Sequence, residues 1–118
     1  MELDTRLELL LSSGTISEEV VETVRKVIQR MNHHWKIPLT EENGSRLITH
    51  LSVALMRLKR HENIRAMEPG TYEEFKNTPV FPKAQEIADD IIAFTGIEIP
   101  ESEREYLNAN VCLILEDE

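Results

Sequence analysis

The sequence predicts an all-α protein, a compact bundle of about five helices, and three observations carry that prediction. Only 5% of the 118 residues are aromatic, against 41% hydrophobic and 30% charged. There are four glycines and five prolines, too few for the many turns of a sandwich or barrel. The apolar residues, mostly Leu, Val and Ile, recur at helical spacing, and no segment alternates as a strand would. A mass of 13.6 kDa gives room for one ordinary domain, and this composition is not that of a disordered chain.

The first helix is expected from about Asp4 to Ser12, with Leu3, Leu7, Leu10 and Leu11 on one side and Gly14 placed to end it. Ser17 is a suitable N-cap for a second helix, in which Val20, Val24, Val27, Ile28, Met31 and Trp35 follow the 3.6-residue period. The Ile37-Pro38 step should close it, because the residue before a proline disfavours helical geometry. Thr40 can cap a third helix from about Glu41 to Arg60, with Leu47, Ile48, Leu51, Ala54, Leu55 and Leu58 as its apolar stripe and Asn63 marking its end.

The stretch IRAMEPGTYEEFKNTPVFP holds three prolines and a glycine and reads as a connection with at most one turn of helix. Thr71 with Glu74 has the pattern of a capping box for that turn, and Tyr72 and Phe75 could tuck it onto the bundle. A fourth long helix, from about Lys83 to Thr95, has Ala84, Ile87, Ala88, Ile91 and Ile92 in phase, with Gly96 as its stop. The last helix is expected near Ser102, capped with Glu105, and buries Leu107, Val111 and Ile114. No glycine- or serine-rich linker interrupts the chain, so one domain over residues 1–118 is the economical reading.

Charge is unevenly distributed. The formal net charge is -9, but residues 1–45 carry -3, residues 46–65 carry +4 and residues 66–118 carry -10. An acidic chain is poorly suited to general phosphate-backbone binding, so direct nucleic-acid binding is not expected. The apolar run at the N-terminus is short and interrupted by Asp4, Arg6 and Glu8, which fits neither a signal peptide nor a membrane span. With a single cysteine, Cys112, no internal disulfide is possible, and a reducing, cytoplasmic setting follows as the simpler reading.

Few residues could carry chemistry. The sequence has no phosphate-cradling glycine loop, no nucleophile elbow and no paired-cysteine metal motif, so neither metal nor cofactor is expected. His33 and His34 are adjacent on a helix, diverge by about 100° and cannot ligate one metal together. His61 stands where an imidazole complements a helix C-terminus, and Cys112 reads as a small apolar residue. His50 differs because Arg46, Arg57, Lys59 and Arg60 surround it in an otherwise acidic chain, a neighbourhood suited to an anion. His50 and Arg57 fall within about 20° of each other on the margin of the apolar stripe, about 10.5 Å apart along the axis. Arg46 lies one turn before His50 on the same margin. A neutral imidazole there is nucleophilic and could accept a phosphoryl group whose oxygens pair with arginine. From spacing alone, a boundary histidine hydrogen-bonded to a neighbour explains the same position.

The segment GSRLITHLSVALMRLKRHENI, followed by PKAQEIADDIIAFTGIEIPESEREYLNANVCLI, resembles the PTS regulation domain (PRD), the phosphorylatable helical module of bacterial sugar-responsive antiterminators and activators. The resemblance covers roughly residues 16–118 and leaves 1–14 as an additional N-terminal helix. Its first signature, a histidine followed by leucine with an arginine seven residues on, is matched by His50, Leu51 and Arg57. Its second is matched by Gly96, Ile97, Glu103, Tyr106 and Leu107, but the expected histidine position holds Asn110.

The resemblance implies a five-helix bundle, usually dimeric, whose histidines take phosphate from the phosphocarrier HPr or an enzyme II component of the phosphotransferase system. His50 alone carries over as phosphoacceptor, with Arg57 as a phosphate or structural partner. Asn110 cannot form a phosphohistidine, though its amide could hydrogen-bond to the phosphate or to His50. Members usually carry RNA-binding, helix-turn-helix or transporter-like domains, for which 118 residues leave no space. A free-standing copy is therefore expected, acting through an unknown partner, through self-association or by competing for phosphate. A phosphorylation-responsive regulator is the leading expectation, a non-phosphorylated dimerisation or docking module is its rival, and a small helical enzyme stands third.

Overall fold

A computed structural model describes residues 2–62, 67–68 and 70–116, and among them every regular element is a helix. The order is α1 (Leu3–Ser12), α2 (Glu18–His33), α3 (Glu41–Lys59), α4 (Thr71–Lys76), α5 (Phe81–Thr95) and α6 (Glu101–Glu116). Five are the long helices expected from periodicity, and α4 is the short one within the proline-rich connection. The chain divides into two compact units, Met1–Glu62 with α1 to α3 and Asn63–Glu118 with α4 to α6.

In the first unit α1 lies against α2 and α3, and α2 against α3. Leu3 and Leu7 are the buried positions of α1, whereas Leu10 and Leu11 are only half-buried and Leu9 is exposed. The Ser17 hydroxyl accepts from Val20 N at 3.3 Å, the expected cap, and α2 then buries Val20, Val21, Val24, Val27 and Met31. α2 stops at His33, before the Ile37-Pro38 step. There Lys36 turns into the left-handed region (φ 58), and Ile37 N returns to Met31 O at 2.9 Å. Trp35 therefore lies past the helix rather than on its stripe.

Thr40 caps α3 in a reciprocal arrangement: Asn43 N donates to Thr40 Oγ1 at 3.3 Å, and Thr40 N donates to Asn43 Oδ1 at 2.7 Å. Asn43 also donates to Pro38 O, and Asn32 of α2 accepts from Leu39 N, so the α2–α3 connection is held at both ends. α3 buries Gly44, Leu47, Ile48, Leu51, Ser52, Ala54 and Leu55. Leu58, expected on the stripe, is half-buried. A Cβ at Gly44 would stand 3.3 Å from Leu39 Cβ and 3.4 Å from Leu3 Cδ1, so the glycine permits the close approach of α1. Beyond Lys59 the left-handed residue is His61 (φ 58); Asn63, expected to mark the end, lies outside the described residues.

Each helix interface of this unit carries an ion pair among the described residues. Arg25 Nε donates to Asp4 Oδ1 at 2.9 Å between α2 and α1, and Lys59 Nζ to Glu19 Oε2 at 2.7 Å between α3 and α2. Arg6 of α1 forks onto Glu41 of α3, with Nε 3.0 and 3.2 Å from the two oxygens, and its Nη1 donates to Thr49 Oγ1 at 3.3 Å. Such exposed pairs set helix register more than they add stability, most of which comes from the apolar burial between them.

In the second unit α6 lies against both α4 and α5. α4 is preceded by Gly70 (φ 94) with no side-chain cap, and Thr71 is its first helical residue, so the expected Thr71–Glu74 capping box does not form. A glycine with positive φ sets the turn instead. α5 begins at Phe81, two residues earlier than expected, because Pro82 falls in its first turn, where a missing N–H costs nothing. It buries Ala84, Ile87, Ala88 and Ile91 and ends at left-handed Gly96 (φ 70). α6 begins at Glu101, with Pro100 O accepting from Glu103 N and Arg104 N. Ser102 is thus inside the helix and not its cap. Leu107, Val111 and Ile114 are buried as expected, and so are Glu103, Asn108, Ala109, Asn110 and Cys112.

Two stability predictions follow from the first unit. Ser17→Ala is expected to cost about 1 kcal/mol, read as a lower urea midpoint at unchanged slope. Hydrogen bonds from Arg6 hold the Glu41 carboxyl below its ordinary 4.5, against a smaller opposing effect of burial. A depressed carboxylate pKa contributes stability that is present above the ordinary value and lost as pH falls through the depressed one. Glu41→Gln should therefore lower stability at neutral pH and flatten the acid limb of the stability profile below about pH 4.5; an unchanged acid limb would show that the pair contributes nothing to folding.

Candidate functional site

The helical period of α3 decides where its polar residues go. Once Leu47, Leu51 and Ala54 are buried, His50 falls at the edge of the stripe and is half-buried, while Arg46 and Arg57 are exposed. Arg46, His50 and Arg57 are therefore on one helix of the first unit. Arg46 lies one turn before His50, and neither it nor Arg57 forms an ion pair among the described residues. By contrast Arg6, Arg25 and Lys59 are engaged with carboxylates. Arg57 belongs to the last turn of α3, where a cation also complements the helix dipole.

Side chains on a helix lean toward its N-terminus and cover the preceding turn. His50 thus covers the turn that carries Arg46. Arg57 covers the turn of Val53 and Ala54, which separates it from the imidazole. The two arginines named from spacing are not equivalent in distance along the helix: Arg46 is four residues before His50 and Arg57 seven after it.

Asn110 belongs to the second unit, on α6, and is 7% exposed. Its Nδ2 donates to Tyr106 O at 2.9 Å, one turn back along its own helix. Asn108, which sequence reasoning did not single out, is 3% exposed and donates from Nδ2 to the Tyr72 hydroxyl at 3.2 Å. Burial pushes the Tyr72 hydroxyl up, and the bond from Asn108 acts the other way. Lys76 Nζ lies 5.2 Å from the centre of the Tyr72 ring, and Phe81 meets that ring edge-on, so α4 is pinned by one tyrosine. Glu103 is a second residue missed as a buried one, at 3% exposure. The signal was present, since Glu103 stands one turn before Leu107 on the buried side.

The remaining candidates have structural places. His33 and His34 are exposed at the end of α2, with His34 edge-on to Trp35 at 5.1 Å. Cys112 is fully buried, and that burial pushes its thiol pKa up, away from reactive thiolate character. Among the described residues no group of three or more His, Cys, Asp or Glu is placed to hold a metal ion, and no helix is long and apolar enough to cross a membrane.

Comparison with known proteins bears on this arrangement. The chain is 24% identical over 117 residues to an uncharacterized protein of Haemophilus influenzae, covering 98% of this chain and 94% of that protein. It is 25% identical over 109 residues to the uncharacterized protein YhfY of Escherichia coli K12, covering 92% and 91%. No solved structure matches it significantly. Residues 25–109 match the family model described as the PRD domain, a span that runs from within α2 to within α6, includes Arg46, His50 and Arg57, and stops one residue short of Asn110. With most of its length in that match, this helical chain belongs to the PRD domain family.

Proposed function

We propose that the protein is a phosphorylation-responsive regulatory module of the bacterial sugar phosphotransferase system, accepting phosphate on His50 and acting through dimerisation or a partner protein. The PRD domain is a regulatory family and not an enzymatic one, and the family match contains His50. The observation that carries the reading is local: a half-buried imidazole on the margin of α3, covering the turn of an arginine that has no carboxylate partner among the described residues. The match crosses the division between the two units, which supports reading 1–118 as one PRD-like domain.

The chemistry is an in-line transfer. A ring nitrogen of neutral His50 attacks the phosphorus of a donor phosphohistidine, on HPr or an enzyme II component. A P–N bond to His50 forms as the donor's P–N bond breaks; the donor imidazole leaves with the bonding pair and takes up a proton, and His50 releases one from its other ring nitrogen, so protons balance through solvent. In this reading Arg46, one turn before His50 on α3, pairs the transferring oxygens, and Arg57 adds longer-range positive potential. The product adds a charge of about -2 on a surface that was locally positive, which is enough to rearrange a contact made there.

One observation favours a second reading, a PRD-like module that docks or dimerises without being phosphorylated. Asn110, at the position of the second family histidine, is buried with its amide donated to its own helix. No phosphohistidine can form at Asn110, so a second phosphorylation at that position is not part of either reading.

Incubation with phosphoenolpyruvate, enzyme I, HPr and an enzyme II component, followed by intact mass measurement, tests the proposal. An acid-labile phosphoryl adduct is expected on the native chain and on Asn110→Ala, and none on His50→Ala with its helical circular dichroism unchanged. Arg46→Ala should slow uptake by about tenfold, more than Arg57→Ala. Equal labelling of His50→Ala would refute the acceptor, and no labelling by any donor would favour the docking reading.

A further inference from the structure

The N-terminal ends of α1 and α3 and the middle of α2 enclose an open groove in the first unit. Its floor is apolar, built from Leu3, Ile28 and Leu39, of which Leu3 and Leu39 are buried and Ile28 is half-buried. Its rim is acidic. Glu2, at the cap position of α1, and Glu42, in the first turn of α3, are exposed, and neither side chain has a partner among the described residues. The cation in the lining, Arg25, is already engaged with Asp4 at 2.9 Å.

Acidic residues at helix N-termini complement the helix dipoles, and that accounts for Glu2 and Glu42 taken singly. It does not account for the apolar floor between them. An anion entering the groove would be repelled by Glu2 and Glu42, and a purely apolar group would leave those two uncompensated, the lining carboxylates Asp4 and Glu41 being already paired with Arg25 and Arg6. A long cationic side chain satisfies both surfaces, because its methylene stem lies on the floor while its charged head remains among the carboxylates and water. We infer that this groove receives a lysine or arginine side chain from a short amphipathic segment of a partner protein. The inference goes beyond the phosphoacceptor reading and does not depend on phosphate uptake by His50.

The probe is a labelled leucine–lysine peptide with its leucines at helical spacing, titrated with the full chain and followed by fluorescence anisotropy. Saturable binding is expected, weakened about tenfold by the double variant Glu2→Lys, Glu42→Lys. The double variant Glu86→Lys, Glu98→Lys makes the same change in net charge in the second unit and should stay within about twofold of native. Replacing the peptide's leucines by serine should also weaken binding, through loss of the floor contact. Circular dichroism verifies that each variant is folded. Glu42→Gln, a near-isosteric change at an exposed residue, gives a smaller loss in the same direction should the double variant misfold. Absence of binding to the native chain overturns the inference. So do equal losses in the two double variants, which would assign the attraction to net charge, and so does indifference to the leucine replacement.

Discussion

The buried stripe of α3 is the constraint on which the first unit depends. Gly44, Leu47, Ile48, Leu51, Ser52, Ala54 and Leu55 face inward, and because a helix is rigid at 3.6 residues per turn, burying them fixes the direction of every other side chain it carries. His50 cannot be placed in the core or on the outermost face without rotating the whole helix. Arg46 and Arg57 are carried outward by the same rotation that carries Leu51 inward. Gly44 admits Leu3, so α1 closes over the start of the helix, and the Thr40–Asn43 cap and the Arg6–Glu41 pair hold that start in register. The candidate site and the groove at the helix N-terminus are both consequences of one packed stripe.

The second unit is organised around a helix buried on most of its circumference. α6 places Leu107, Val111 and Ile114 inward, but it also buries the side-chain amides of Asn108 and Asn110. A buried amide must find partners or cost free energy. Asn108 finds the Tyr72 hydroxyl of α4, and Asn110 finds a carbonyl of its own helix. The first bond gives the short α4, which has no side-chain cap, a specific anchor. The second satisfies the amide locally, which lets a polar residue occupy a buried position with no ionisable group there.

The proposed function rests on contrast of charge. Against a net charge of -9, the segment around His50 is locally positive, and Arg46 and Arg57 have no carboxylate partner among the described residues. In the proposed function a dianionic group on His50 would be stabilised there, and its arrival would change the local field more than on a uniformly acidic surface. Membership of the PRD domain family and an imidazole on the margin of α3 between Arg46 and Arg57 are consistent with that proposal.

Periodicity alone located α2, α3, α5 and α6, because each has an apolar repeat long enough to exclude a strand. It also placed His50 on a margin, since an angle along one helix needs no knowledge of its neighbours. Local chemistry located the Ser17 and Thr40 caps and the Gly96 stop, whose partners lie within a few residues. What the sequence did not reveal depends on groups distant in the chain. The Thr71–Glu74 box and the Ser102 cap were matched patterns that other backbone geometry pre-empted: Gly70 turns the chain before Thr71, and α6 begins one residue before Ser102. The burial of Asn108 depends on Tyr72, 36 residues away, and the groove depends on Leu3, Ile28 and Leu39 meeting from three separate segments. A helix's own stripe is a property of one segment and is written in its spacing; a contact between segments is decided by packing, and no local pattern specifies it.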